Sequence, residues 1–227
     1  MQIDVVSDTI CPWCYIGKRR LERALAASDG PHAWIGWRPF QLNPDMPVEG
    51  MERETYLAKK FGSRERAERV YAPIVDAGRE EGIAFAFDRI KRTPNTLMSH
   101  RLIRIAGKMG RQNEAVDGLF RAYFEEGRDI GDLTVVSDVA RDAGMDRDEI
   151  HAYLETDADL DRVRAEDAFA RELGIQGVPC FIIERSVVLS GAQPPDVFQQ
   201  AFATAAARGT VAQDQDAAGA PSSPTAS

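Results

Sequence analysis

Cysteine is scarce in this chain: 3 in 227 residues. So few cannot build the disulfide framework of a small secreted scaffold. Nor can they supply the two cysteine pairs that a structural zinc site usually takes. Long apolar runs are also missing, and none approaches the length of a membrane span, about 20 residues. Positive charge is in deficit, with 28 Lys and Arg against 36 Asp and Glu and a formal net charge of −8. That balance argues against nucleic acid and against an anionic membrane surface as partners. Ahead of residue 11 there is no basic region and no long apolar stretch of the secretory kind, so a cytoplasmic location is the expectation. What remains, 44% hydrophobic and 28% charged residues, is ordinary for a globular chain with a substantial core.

Two of the three cysteines stand together in Cys11-Pro12-Trp13-Cys14. An apolar run, 3–6, reads as a strand before the motif, and 15–28 reads as a helix after it. A cysteine at a helix start sits where unpaired backbone N–H groups and the helix dipole favour negative charge, so a thiolate at Cys11 is expected to be stabilised. Pro12 suits the first helical position, where its fixed φ is already helical and its missing N–H costs nothing. Cys14, in the first turn, is then placed to attack a mixed disulfide formed by Cys11. Half a zinc site or two buried thiols is the bland alternative.

Along the chain, Leu21, Ala24 and Leu25 make an apolar stripe on the first helix, with Lys18, Arg19, Arg20, Glu22 and Arg23 facing water. Gly30-Pro31 ends this unit, and 35–42 reads as a second strand, which makes a βαβ unit and a parallel pair. From 52 to 173 the pattern is almost wholly helical. Apolar stripes run through Ala67, Val70, Tyr71, Ile74, Val75 and Gly78, through Leu102, Ile105, Ala106 and Met109, and through Val116, Leu119, Phe120, Tyr123 and Phe124. Asp132, Thr134 and Asp146 stand at N-cap positions. Strand signals return at 180–183 and 187–189, around the short turn 184–186, and read as a hairpin. A last helix fits 196–206, and the Ala-, Gly-, Ser- and Pro-rich remainder, 209–227, reads as a disordered tail. Domains are therefore expected at 1–50 together with 174–208, with a helical insertion at 51–173.

This order, together with the segments 7–17, Phe40-Gln41-Leu42-Asn43-Pro44, Asn95-Thr96-Leu97, 126–131, Gly177-Val178-Pro179 and Ser190-Gly191-Ala192-Gln193, resembles the DsbA-type thiol-disulfide oxidoreductases, in particular the FrnE-like branch. The resemblance implies an α/β thioredoxin-like fold, βαβ and then ββα, interrupted by a large all-helical insertion. It implies Cys11 as nucleophile, Cys14 as resolving thiol, and a cis Val178–Pro179 bond beside them that lets the Val178 backbone pair with an extended substrate. Gln41, Asn43, Asn95, Ser190 and Gln193 flank the expected cleft and are candidates to hydrogen-bond a peptide or glutathione, although turn chemistry explains each of them too. The expected partner is a disulfide-bearing protein or a small thiol. No metal and no organic cofactor is implied, glutathione is a potential co-substrate, and the oligomeric state is open, a homodimer included.

The chain departs from the family in two places. Cys180 follows the proline where an aromatic residue is common, and reads as a small buried residue or, more sharply, as a third thiol near the pair. Thioredoxin-like proteins often carry a buried acid six positions before the nucleophile. Here that position is Val5; Asp8 lies closer to the motif and is a candidate to help in proton transfer, although it also reads as a polar residue of the loop after the strand. His32, His100 and His151 are scattered and read as surface or packing residues, with His100, near Asn95-Thr96-Leu97, also a candidate to border the cleft. Two rival functions remain. Kappa-class glutathione transferases and 2-hydroxychromene-2-carboxylate isomerases share this architecture but typically carry serine at the active position, and an apolar-cleft holdase would need neither thiol.

Overall fold

The computed structural model describes residues 1–28 and 33–218. The chain opens with β1 (Gln2–Ser7), α1 (Pro12–Ala26) and β2 (Trp34–Pro39), and closes with β5 (Cys180–Ile183), β6 (Val187–Ser190) and α9 (Pro195–Ala218). These strands form one sheet in the order β2-β1-β5-β6. The β1–β2 pair is parallel, which the α1 crossover permits, and the other two pairs are antiparallel. The β5–β6 hairpin turns through Glu184 and Arg185, both at positive φ (48° and 53°), as a tight hairpin turn requires.

Register decides what each face carries. Val5 lies opposite Phe181, and Val6 opposite Cys180. Because side chains alternate along a strand, Ile3, Val5, Phe181 and Ile183 enter the main core with residues of α1 and α9, where Phe198 meets Phe181 edge-on at 4.8 Å. Val6 and Cys180 face the other way and pack on Phe40 and Ala170.

Between β2 and β5 lie β3 (Met51–Glu52), α2 (Arg53–Phe61), α3 (Arg64–Glu80), β4 (Arg92–Thr93), α4 (Leu97–Lys108), α5 (Gln112–Phe124), α6 (Leu133–Asp142), α7 (Arg147–Glu155) and α8 (Leu160–Glu172). The Val116 to Phe124 stripe is buried throughout, and Tyr15 of α1 stacks on Phe120 at 5.1 Å. The apolar core therefore runs unbroken from the sheet into α4, α5 and α6. Ala170 of α8 covers the second face of the sheet. Arg101 is buried and donates to the carbonyls of Tyr153, Leu154, Thr156 and Ala158, tying the end of α7 to α4.

Several expectations need correction. The interval 81–96 is largely non-helical and contributes β4, which pairs with β3. Two residues are too few for a periodicity to register. Val70 and Met109 are exposed despite their place in the apolar stripes. Asp132 and Asp146 do cap their helices, but Thr134 lies inside α6; Ser63 and Glu52 are caps that the pattern did not signal. Lys18 does not face water: it is buried against α5, paired with Asp117 (2.9 Å) and Glu22. The last helix continues to Ala218, into the stretch assigned to a tail, in keeping with the high helix propensity of alanine. Residues 219–227, Gly30-Pro31 and His32 lie outside the described residues.

Candidate active site

The site is a turn between a strand end and a helix start. After β1, the Cys11 amide donates to the Asp8 carbonyl (3.1 Å), which sets Cys11 at the N-cap of α1 in extended conformation (φ −94°, ψ 111°). Pro12 is the first helical residue. No acidic side chain lies in the first turn, and the N-cap side chain makes no capping bond. Cys14 follows one turn on, its amide donating to the Cys11 carbonyl at 3.0 Å. Burial above all, then the neighbouring Cys11 sulfur, pushes the Cys14 thiol well up from its ordinary range, against the pull of the Asp8 backbone. Cys11 keeps 5% exposure and Cys14 1%, and both are free thiols.

The opposite wall is the entry to β5. The Val178–Pro179 bond is cis, and the Cys11 thiol donates to the Val178 carbonyl at 3.6 Å. Pro179 is buried, Val178 half-buried and Gly177 exposed, so the chain surfaces as it leaves the proline. A shallow cleft of about 520 Å³ lies along this segment, bounded by Leu173, Val178, Pro179, Val188, Ser190 and Gly191. Leu173 and Val188 give it an exposed apolar rim. Trp13 is half-buried and packs on the edge of the core.

The polar candidates divide. Ser190 lines the cleft, and Gln193 folds back so that its amide donates to the Ser190 carbonyl at 2.7 Å. Asn95 is buried and engaged at both ends, donating to the Met46 carbonyl (2.6 Å) and accepting from the Leu97 amide (3.0 Å). Asn43 donates to the Tyr56 hydroxyl at 3.4 Å. Gln41 is buried, its backbone held by Asp167 and Arg171 of α8. Cys180 packs among Val6, Phe40 and Ala170 on the face away from α1; burial raises its thiol, and the Ser190 hydroxyl partly offsets this. Among the described residues, no group of three or more His, Cys, Asp or Glu could hold a metal ion.

Asp8 and His100 are brought together behind the motif. Asp8 is fully buried and its Oδ2 accepts from the Leu42 amide (2.7 Å), while Oδ1 lies 3.5 Å from Nε2 of the buried His100. His100 is 89 positions from Cys11 and arrives on α4, so its pairing with Asp8 depends on how α4 folds over the motif. His151 sits apart, against the Ser137 hydroxyl at 3.1 Å.

The family model described as the DSBA-like thioredoxin domain matches residues 2–203. The chain belongs to this family. Among solved structures, the DsbA-like chain is similar to a probable DsbA oxidoreductase of Streptomyces coelicolor, with 35% identity, a TM-score of 0.82, and 90% of this chain and 89% of that one covered. A 2-hydroxychromene-2-carboxylate isomerase shares the fold at 16% identity and a TM-score of 0.67, over 97% of this chain and all (100%) of that one. The cytosolic disulfide reductase DsbM of Pseudomonas aeruginosa, solved with GSH, shares it at 20% identity and a TM-score of 0.62, over 92% and 100%. Among the described residues, no helix is long and apolar enough to cross a membrane.

Proposed function

We propose that this DsbA-like protein performs dithiol–disulfide exchange through Cys11 and Cys14. One observation carries the reading: two free, buried thiols stand at the N-cap and in the first turn of α1, with the Cys11 sulfur 3.6 Å from the carbonyl of a cis-proline segment. The Cys11 thiolate attacks one sulfur of a substrate disulfide, and the other substrate sulfur leaves as a thiolate. Cys14, once deprotonated, attacks the Cys11 sulfur. The Cys11–substrate bond breaks, a Cys11–Cys14 disulfide forms, and the second substrate thiolate departs. The reverse sequence oxidises a dithiol, and the direction follows the reduction potential of the pair against its surroundings.

The apolar rim at Leu173 and Val188 suits a disulfide flanked by apolar side chains, and the Val178 backbone suits an extended one. Glutathione is the small-thiol partner of this reading, in keeping with the GSH held by the DsbM neighbour. Placement in the FrnE-like branch rests on the motif segments of the sequence. The test is reduction of a protein disulfide and of glutathione disulfide by three proteins. Cys11→Ser should lose activity, while Cys14→Ser should accumulate a mixed disulfide visible by mass. Full activity in Cys11→Ser would end the reading. Glutathione-dependent isomerase turnover that survives Cys14→Ala would favour the chemistry of the isomerase neighbour instead.

A further inference from the structure

Arg20 reaches in two directions at once. It lies on α1 three positions after Gly17, so the two share a helix face, and that face meets the turn between β6 and α9 at Ala192. Its Nε donates to Glu81 Oε1 at 3.0 Å, and its Nη1 donates to the Ala192 carbonyl at 2.6 Å. The Arg20 side chain is 15% exposed and that of Glu81 2%.

Glu81 is placed against two local rules. It is the C-cap of α3, with Glu80 just before it, where the helix dipole disfavours negative charge. Its side chain is also buried, which is costly for a carboxylate without partners. Two arginines of α1 offset these costs, Arg20 and, at 2.8 Å, Arg23. Among the described residues the Arg23 side chain bonds to Glu81 alone, and it is largely exposed. Arg20 differs in having a second acceptor, with which it makes a charge-assisted bond. A residue that breaks local rules and is compensated elsewhere marks a place the fold uses.

The second acceptor belongs to the wall of the cleft. Ala192 follows Gly191, and Ser190 and Gly191 line the cleft beside Val178. The Gly191 amide donates to the Pro179 carbonyl at 2.8 Å, which continues the β5–β6 ladder. Gln193 closes the turn on itself, through the carbonyls of Gly191 and Ser190. The ladder thus holds the near end of the turn, and Arg20 holds the far end. Loss of Arg20 loosens the wall, while Cys11, Cys14 and the Val178–Pro179 bond keep their own contacts.

We propose that Arg20 is a positioning residue, anchored by Glu81 of the helical insertion, that sets the Ser190–Gly191 wall of the cleft for an extended peptide disulfide. The inference rests on the dithiol-exchange reading and deepens it. The insertion thereby takes part in substrate recognition, through the turn rather than through the dithiol. A small disulfide needs the Cys11 sulfur and is indifferent to the wall. A peptide lying along Val178 rests against that wall and is held or lost with it.

The test compares two substrates that share one leaving group. Reduced protein is mixed with 5,5′-dithiobis(2-nitrobenzoate), or with a short extended peptide whose cysteine carries thionitrobenzoate in disulfide linkage. In both, the Cys11 thiolate bonds to the retained sulfur, the S–S bond breaks, and thionitrobenzoate leaves with the electron pair. Where a displacement of about 1 Å costs on the order of 100-fold, a few tenths of an ångström in the wall predicts a loss of about 3- to 10-fold. Arg20→Gln should show that loss with the peptide, as a higher half-saturating concentration rather than a slower plateau, and keep the small disulfide within about 2-fold. Glu81→Gln should act in the same direction and less, and should add nothing in the Arg20→Gln background. Arg23→Gln removes a largely exposed partner of Glu81 and leaves Ala192 held, so both substrates should stay within about 2-fold. A merely structural role would slow both substrates by the same factor, which would overturn the proposal. A parent-like peptide rate in Arg20→Gln, or an equal loss in Arg23→Gln, would overturn it as well. If Arg20→Gln fails to fold, Arg20→Lys decides by the same criteria, because an ammonium lacks the fork that spans both acceptors. Failure of the exchange reading shows instead as Cys11→Ser releasing thionitrobenzoate at the parent rate from both substrates, so the two failures are distinguishable.

Discussion

Gly17 holds the helix that carries the dithiol against the proline that faces it, and replacing it with alanine tests whether that spacing matters. A Cβ at this position would lie 3.0 Å from Phe181 Cζ, 3.1 Å from Pro179 Cγ and 3.5 Å from Ala192 Cβ. Carbon pairs rest at about 3.5–4.0 Å, so the first two contacts would be short by about half an ångström. Neither neighbour yields easily. Phe181 is fully buried and wedged against Phe198, and Pro179 is buried at the head of β5. Replacing glycine by alanine inside a helix gains about 0.5–1 kcal/mol, whereas overpacking of a tight core costs about 1–3 kcal/mol. The net is a destabilisation of about 0–2.5 kcal/mol, or a melting temperature lower by up to roughly 10 °C for a chain of this size.

The functional effect should exceed what stability alone implies, because the push is aimed at Pro179. If a displacement of about 1 Å costs on the order of 100-fold in rate, a few tenths of an ångström predicts about 3- to 10-fold. Thermal melts and glutathione-disulfide reduction on the same preparation measure both. A Gly17→Ala protein that melts higher than the parent and turns over at the parent rate would show that α1 and the cis-proline segment are not held in register by this contact.

Two further outcomes follow from other parts of the structure. Cys180→Ala should leave the exchange rate within about 2-fold and cost about 1 kcal/mol as a small core truncation. Correspondingly, an alkylating reagent should modify the third thiol of the parent only on unfolding. Asp159 accepts from Lys108 and from the Tyr153 hydroxyl and faces Arg104; the Lys108 bond leads in holding its carboxyl down at about 2, from an ordinary 3.8. Because the folded value lies below the unfolded one, its stabilisation is present above about pH 4 and is lost as the pH falls towards 2. Asp159→Asn should therefore melt lower at neutral pH and lose less than the parent on acidification; parallel melting curves from pH 6 to pH 2 would contradict this.

The sequence by itself determined the parts of this protein that are local. Cys11 at a helix start, Pro12 in the first helical position, two strands around a crossover helix and a closing hairpin all follow from neighbours a few residues apart. So does the Val116 to Phe124 stripe, whose period matches one helix face. The resemblance added the cis bond at Val178–Pro179, which no spacing reveals. Tertiary structure decided what depends on distant partners. Lys18 looked solvent-facing because its helix neighbours are charged, but Asp117 from α5 supplies the opposite charge that lets it be buried. Asn95 lies between periodic stretches, and only the fold shows that Met46 and Leu97 engage its amide at both ends; at Gln41 α8 holds the backbone alone and the side-chain nitrogen has no partner. Asp8 read either as a helper beside the motif or as an ordinary loop residue, and only the arrival of α4 sets His100 against it, beside a cavity that the sequence could not foretell. Periodicity and capping act over a turn or two of chain, whereas the burial of a charge depends on which element folds over it.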